Sequence, residues 1–481
     1  MADLEVVIGL EIHVQLATAT KMFCSCALSF GDPPNIHTCP VCLALPGALP
    51  VVNERAIHLG LMIGMALGCE LAPRSIFHRK NYFYPDSPKG YQISQYDEPL
   101  CRGGELEGVR IHRVHLEEDA AKLIHLGSSG RIHGSQTSVV DFNRGGTPLV
   151  EIVTEPDLRS AAAAREWLEL LRATLRALGV SDVNMDEGSL RADANVSLRR
   201  VGASELGTKA ELKNMNSFRF LERGIAAEVE RQRAIVEGGG EVEQETLHFD
   251  PASGQLTPLR SKEDAQDYRY FPEPDLVPIA ITAEMLDAAR SAMPELPAAR
   301  AQRFESEFEI SGDRARQLAF RSELGDFFER AVAADGGAAA VHARRIADLL
   351  TGEVLARLGD SDPASSRLEP AALAALAGLL ADGAVTATAA REVLDALIAD
   401  GGDPAAVIAA RRLGRVADSE GLAELVERAI AADPDAAEQV RAGNAKAIGA
   451  LVGPIMRETR GRADGAELQR LIREALGVGG D

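Results

Sequence analysis

The chain has 481 residues and a formal net charge of −21, from 72 acidic against 51 basic residues. That length exceeds one core and points to about two to four domains, and that charge excludes non-specific coating of nucleic acid, so basic contacts must be local. Six cysteines, four of them clustered, exclude a disulfide scaffold and make a reducing cytoplasm the expected compartment.

The N-terminus, MADLEVVIGLEIH, has no basic region ahead of its apolar residues and does not read as a signal peptide. VIGLEIHVQL (7–16) alternates as a half-buried strand, with Glu11, His13 and Gln15 on one face and Ile12, Val14 and Leu16 on the other. A Glu and a His two apart on one face make half of a divalent-cation site, with an ordinary polar sheet face as the alternative. Cys24-Ser-Cys26 and Cys39-Pro-Val-Cys42, twelve residues apart, match a tetrahedral structural zinc site; four small buried hydrophobes are the alternative. The apolar run Leu59 to Gly68 is too short for a bilayer, so it reads as a buried helix and no membrane partner is expected. RKNYFYPDSPKGYQISQYD (79–97) sets Lys80, Lys89 and four tyrosines among Pro and Gly, a loop suited to binding phosphate, although Tyr82 and Tyr84 also suit a plain strand edge.

The stretch from His115 to Asp157 is the centre of the chain. Glu151 sits among Leu149, Val150, Ile152 and Val153, where an unpaired carboxylate would cost several kcal/mol. Glu117, Glu118 and Asp119 lie nearby, so a divalent cation between the two arms would satisfy both, and an ion pair to Arg144 or Arg113 is the alternative. Ser160 to Leu178 is an amphipathic helix with Trp167, Leu171, Leu175 and Leu178 on one stripe. SLRADANVSLRR (189–200) alternates, sending Leu190, Ala192, Ala194, Val196 and Leu198 in and Arg191, Asp193 and Asn195 out. TKAELK (208–213) presents Lys209, Glu211 and Lys213 on one face, then Asn214 to Ser217 leads into a helix reaching about Val236. SKEDAQDYRYFPEPDLVPI (261–279) closes this part in prolines. No GxxxxGK[ST] loop occurs and no GxGxxG follows a strand, so any nucleotide must be held by strand-borne cations and metal.

Every tyrosine, the only tryptophan and all lysines but Lys446 precede residue 272, which places a boundary near Pro294 to Pro297. The remainder of the chain is a set of short helices, with Asp403-Pro404 and Asp433-Pro434 each an N-cap followed by proline. Between 441 and 474, seven basic residues, including Arg441, Lys446, Arg457 and Arg460, face four acidic ones. An RNA-backbone patch and solvated helix faces both account for this.

The strings VIGLEIHVQL, RKNYFYPDSPKGYQISQYD, HLEEDAAK, DFNRGGTPLVEIVTEPD, SLRADANVSLR, TKAELKNMNS and DYRYFPEPDL resemble the B-subunit family of the bacterial and organellar tRNA-dependent Asp/Glu amidotransferases over essentially the whole chain. The resemblance implies an α+β chain: an antiparallel-sheet cradle domain related to glutamine synthetase (1–294), an all-α helical domain (295–404) and a small α-helical tail domain that grips tRNA (405–481). It implies ATP-dependent activation of the side-chain carboxylate of Asp or Glu on mischarged tRNA, followed by amidation. The resemblance places magnesium ligands on Glu11, His13, Glu118 and Glu151, and a structural zinc knuckle on Cys24, Cys26, Cys39 and Cys42. Lys80, Arg191 and Lys213 are the candidates for phosphate contacts. Because the chain shows no glutaminase machinery, ammonia must come from a glutaminase partner subunit, and the family adds a small third subunit. A non-catalytic tRNA scaffold, or a ligase acting on free aspartate or glutamate, are the competing expectations.

Overall fold

The computed structural model describes residues 4–126, 135–260, 268–334, 340–359, 361–415, 419–459 and 461–478. Arg460 and the segment 261–267 lie outside the described residues. The chain is α+β and splits into two compact units, Met1–Leu296 and Pro297–Asp481.

The first unit is built on a sheet whose ordered path runs Leu256–Arg260, Thr246–Phe249, Ala210–Met215, Leu190–Arg200, Leu4–Gln15, Pro148–Thr154, Val109–Glu118, Tyr91–Gln95, Phe77–Asn81 and Phe271–Pro272. Neighbours are antiparallel except Ala210–Met215 and Thr246–Phe249, and the helix Phe218–Glu237 supplies the crossover that a parallel pair requires. Leu4–Gln15 is central because its alternate residues Ile8, Leu10, Ile12 and Val14 are fully apolar and buried. Leu190, Ala192, Ala194, Val196 and Leu198 are buried beside them, as the alternation predicts. The Phe218–Glu237 helix covers that apolar face together with Ala161–Ala177, whose Trp167, Leu171 and Leu175 are buried. Ser160 and Ser217 cap them, accepting from Ala163 N and Phe220 N at 3.1 Å each. With helices on one face, the opposite face is left to carry polar groups.

The predicted buried helix is Glu54–Ala66, capped by Asn53. Its Gly60 and Gly64 let it approach the sheet closely: a Cβ on Gly64 would collide with Cys101 Sγ and lie 2.8 Å from Leu71 Cδ2.

The second unit holds two cores, one from Ala301 to Leu413 and one from Leu422 to Leu476. The expected cut at 404/405 meets the start of helix Pro404–Arg411, whose Val407 and Ile408 pack on the first core along with buried Leu413. The glycines at 401 and 402 therefore form a turn inside that core, and the division between cores comes after Leu413. Asp403 and Asp433 cap their helices through their carboxylates. Among the described residues, no helix is long and apolar enough to cross a membrane.

Candidate functional site

Strand register decides which carboxylates meet. His13 lies opposite Glu151 on one side and Arg191 on the other, and Glu151 lies opposite His115. Directly opposed residues share a face, as do residues two apart, so His13, Glu151, His115 and Glu117 converge on the helix-free side. His13 Nε2 is 3.4 Å from Glu151 Oε2 and 3.8 Å from Glu117 Oε1, and His115 Nε2 is 3.4 Å from Glu151 Oε2. His13, Glu117 and Glu151 each bring a ligand atom within 4.8 Å of the others.

Burial raises the Glu151 carboxyl, but the His115 and His13 imidazoles outweigh it and hold it well below the usual carboxylate range. Burial likewise opposes charge on His13, and Glu151 and Glu117 overcome it to raise that imidazole. The Arg113 guanidinium stands 3.8 Å from Glu151, a weak version of the expected ion pair. Arg144 instead donates to the Ala120 and Ala121 carbonyls at 2.9 Å. Two buried carboxylates and an imidazole, with no bidentate arginine between them, fit a small divalent cation.

Two expected ligands stand elsewhere. Glu118 is out of phase with Glu117 and lies opposite Pro148; both its oxygens take Lys89 Nζ, one at 2.6 Å, and one accepts from Ile93 N at 3.0 Å. Glu11 shares the face of His13 but lies opposite Val153 and Asp193, and its carboxylate accepts from Asn195 Nδ2 at 2.9 Å. Glu117, with His115 behind it, is the residue that the sequence left unselected. The phase of His115, Glu117 and Asp119 was visible there; the partner strand that fixes their direction was not.

The cluster opens on a cavity of about 380 Å³, lined among others by His13, Lys80, Lys89, Glu117, Arg191 and Lys213. The three cations expected to meet phosphate are thus brought together. Arg191 donates to Asp119 at 3.0 Å, and Asp119 also accepts from Gln15 Nε2 at 2.8 Å. Burial raises the Asp119 carboxyl, yet Arg191 and Arg144 leave it below its ordinary value. Lys213 pairs with Asp193 at 3.3 Å and Glu211 at 2.9 Å, and Lys80 lies 4.9 Å from the centre of the Tyr268 ring. Burial would lower both lysines, but Asp193 and Glu211 keep Lys213 raised and Glu117, Tyr270 and Glu151 keep Lys80 raised, so both remain cationic.

Cys24, Cys26, Cys39 and Cys42 also place their sulfurs within 4.8 Å of one another, and none is in a disulfide. Hydrogen bonding with Cys24 draws the Cys42 thiol well below its ordinary value despite burial, and the Lys21 ammonium adds to this. Lys21 is 1% exposed and its Nζ donates to the Phe142 carbonyl at 2.9 Å. Four convergent thiols beside a buried cation fit a thiolate-bound metal such as zinc.

Residues 6–287 match the model of the GatB/GatE catalytic domain, and residues 326–476 match that of the GatB domain. The chain belongs to this family of amidotransferase B subunits. An aspartyl/glutamyl-tRNA(Asn/Gln) amidotransferase B subunit from Anaeromyxobacter sp. (strain K) is 48% identical over 488 residues, covering 99% of both chains. The protein of that name from Frankia casuarinae is 49% identical over 494 residues, covering 99% of this chain and 97% of its own. That from Moorella thermoacetica is 46% identical over 482 residues, covering 98% and 100%. The family match spans both the strands that carry the metal-type cluster and the helical unit, which bears Arg441, Lys446 and Arg457 exposed.

Proposed function

We propose that this B-subunit family member activates the side-chain carboxylate of Asp or Glu carried on mischarged tRNA, using ATP, for amidation to Asn-tRNA(Asn) or Gln-tRNA(Gln). The observation that carries this reading is the cluster of His13, Glu117 and Glu151, of which His13 and Glu117 line a cavity ringed by Lys80, Lys89, Arg191 and Lys213. A carboxylate oxygen of the aminoacyl group attacks the γ-phosphorus, and the bond to the ADP oxygen breaks. The carbonyl carbon of the resulting acyl phosphate is attacked by ammonia, phosphate leaves with the bonding pair, and the nitrogen loses a proton. Lys80, Lys89, Arg191 and Lys213 orient the phosphates and offset their charge, and the acyl phosphate must be kept from water until ammonia arrives.

Magnesium held by His13, Glu117 and Glu151 would neutralise phosphate oxygens. Glu118 acts through Lys89, which it holds at the cavity, and Glu11 through the neighbouring strand. Zinc on the four cysteines would staple their loop and leave no coordination position open. Ammonia comes from a glutaminase subunit, with a small third subunit completing a cytoplasmic complex. In the tail, Arg441, Lys446 and Arg457 are exposed and without ion pairs among the described residues, whereas Arg470 is engaged by Glu467 and Glu474. Those three suit RNA phosphates.

The test is to supply the reconstituted complex with tRNA mischarged with Asp or Glu, ATP and glutamine, then identify the amino acid released from the tRNA. Asn or Gln, with an equivalent of ADP, is the expected product. Unchanged Asp or Glu on both tRNAs refutes the assignment.

A further inference from the structure

The loop that carries the cysteines is bonded to a segment more than a hundred positions further along the chain. Phe142 N donates to Asn35 Oδ1 at 2.7 Å, Asn35 N to Asp141 Oδ1 at 3.1 Å and Asn35 Nδ2 to the Val140 carbonyl at 3.1 Å. His37 N donates to Asn143 Oδ1 at 2.9 Å, and Asn143 Nδ2 to the Pro33 carbonyl at 2.9 Å. Asn35 does this at a φ of 64°, a left-handed conformation that Asn tolerates better than most side chains.

The segment it grips continues straight into the cavity wall. Gly145 and Gly146 line the cavity, as do Asp119 and Cys42 itself. Gly146 N donates to the Asp119 carbonyl at 2.8 Å, Asp119 N to the Thr147 carbonyl at 2.8 Å, and Met22 N to the Gly146 carbonyl at 2.7 Å. Lys21, three residues before the first cysteine, reaches the Phe142 carbonyl from the same side. Asp119 in turn holds Arg191. Hydrogen bonds joined by short stretches of backbone therefore connect the cysteine loop to a cation placed for phosphate.

We propose that the metal-bound cysteine loop is a clamp on the cavity, with Asn35 and Asn143 as positioning residues that fix the 141–147 turn and, through Asp119, Arg191. The metal site then contributes to nucleotide binding without meeting substrate. The kinetic arm of the test rests on the proposed function; the exchange arm does not.

In the full chain, stripping zinc with a chelator is expected to quicken amide hydrogen exchange at Asp119, Gly146 and Thr147 by about tenfold or more, the equivalent of one lost hydrogen bond. The amides of Ile8 to Val14 keep their protection. Asn35→Ala and Asn143→Ala produce the same quickening with zinc still bound, counted by its release to a chromophoric chelator. In the reconstituted enzyme both variants raise the KM for ATP with kcat within about twofold of the parent, a split that general destabilisation would not give. Unchanged exchange at Asp119 and Gly146 after zinc removal and in both variants overturns the clamp. So does a chain that is purified without metal and protects those amides fully. A parent complex that consumes no ATP would count against the proposed reaction alone, because the exchange measurements decide the clamp by themselves.

Discussion

Glu117 and Glu118 differ by one position and face different partners. Glu117 stands 3.8 Å from His13 and accepts from Ser94 Oγ at 3.1 Å, while Glu118 is held by Lys89. Neither carboxylate is expendable, but they fail differently. Lys89→Ala leaves Glu118 buried without its cation, so it is expected to weaken ATP binding and to lower stability by about 3 kcal/mol, read by urea denaturation. A surface pair behaves otherwise. Asp157 takes Arg110 through both oxygens at 2.7 and 2.9 Å, and that guanidinium holds its carboxyl below the ordinary value. A depressed carboxyl contributes stability that is present above its unfolded value near 3.8 and lost as pH falls below it. Asp157→Asn is therefore expected to lower Tm slightly at neutral pH, leave it nearly unchanged near pH 2 and so flatten the fall between about pH 4 and 2, and an unchanged acid slope would remove the pair from the account. The placement of His13, Arg191 and Lys213 on one side was legible in the sequence because alternation sets their face, whereas Glu151 stood out by its apolar flanks and Lys80 by its loop of Lys and Tyr. The choice of Glu117 over Glu118 was not, because it depends on which residue of Val109–Glu118 meets Glu151, a register fixed across strands more than thirty positions apart.

At the scale of elements, the strands and helices of the first unit follow from period and caps. Predicted strand 7–16 is Leu4–Gln15, and predicted helix 160–178 is Ala161–Ala177. Pattern could not supply the contacts made at glycines. Gly60 and Gly64 lie one helical turn apart and admit Leu100, Leu116 and Cys101 to the helix surface. Gly64→Ala gains helix propensity but forces Cys101 and Leu71 aside, so overpacking of about 1–3 kcal/mol is expected to win. A urea midpoint equal to or above that of the parent would show that the sheet yields freely there. The cysteine loop is a comparable case: its pairs were read as metal ligands from spacing, but its bonds to residues 140–143 connect positions that no local rule relates.

For the whole molecule, the second unit divides where its cores divide. A cut at Gly402 would strip Val407, Ile408 and Leu413 from the first core, whereas a chain ending at Arg415 keeps that core intact and removes the second. The shorter protein is expected to keep the Tm of the remainder and to bind tRNA with a smaller salt dependence. Loss of three phosphate contacts lowers the log–log slope by about 2 to 3. Arg441→Ala, Lys446→Ala and Arg457→Ala together should reproduce that change in the full chain. An unaltered slope would assign the tRNA contacts to another part of the complex.

The magnesium dependence of ADP formation, driven by mischarged tRNA, in Glu117→Gln and Glu118→Gln compared side by side tests the site most directly. Glu117→Gln is expected to raise the magnesium needed for half-maximal rate by about tenfold to a hundredfold, as Glu151→Gln does, because a ligand is lost. Glu118→Gln should keep the parent's magnesium requirement and raise the KM for ATP. The opposite pattern, with Glu118→Gln shifting the magnesium requirement and Glu117→Gln leaving it at the parent value, would contradict the account.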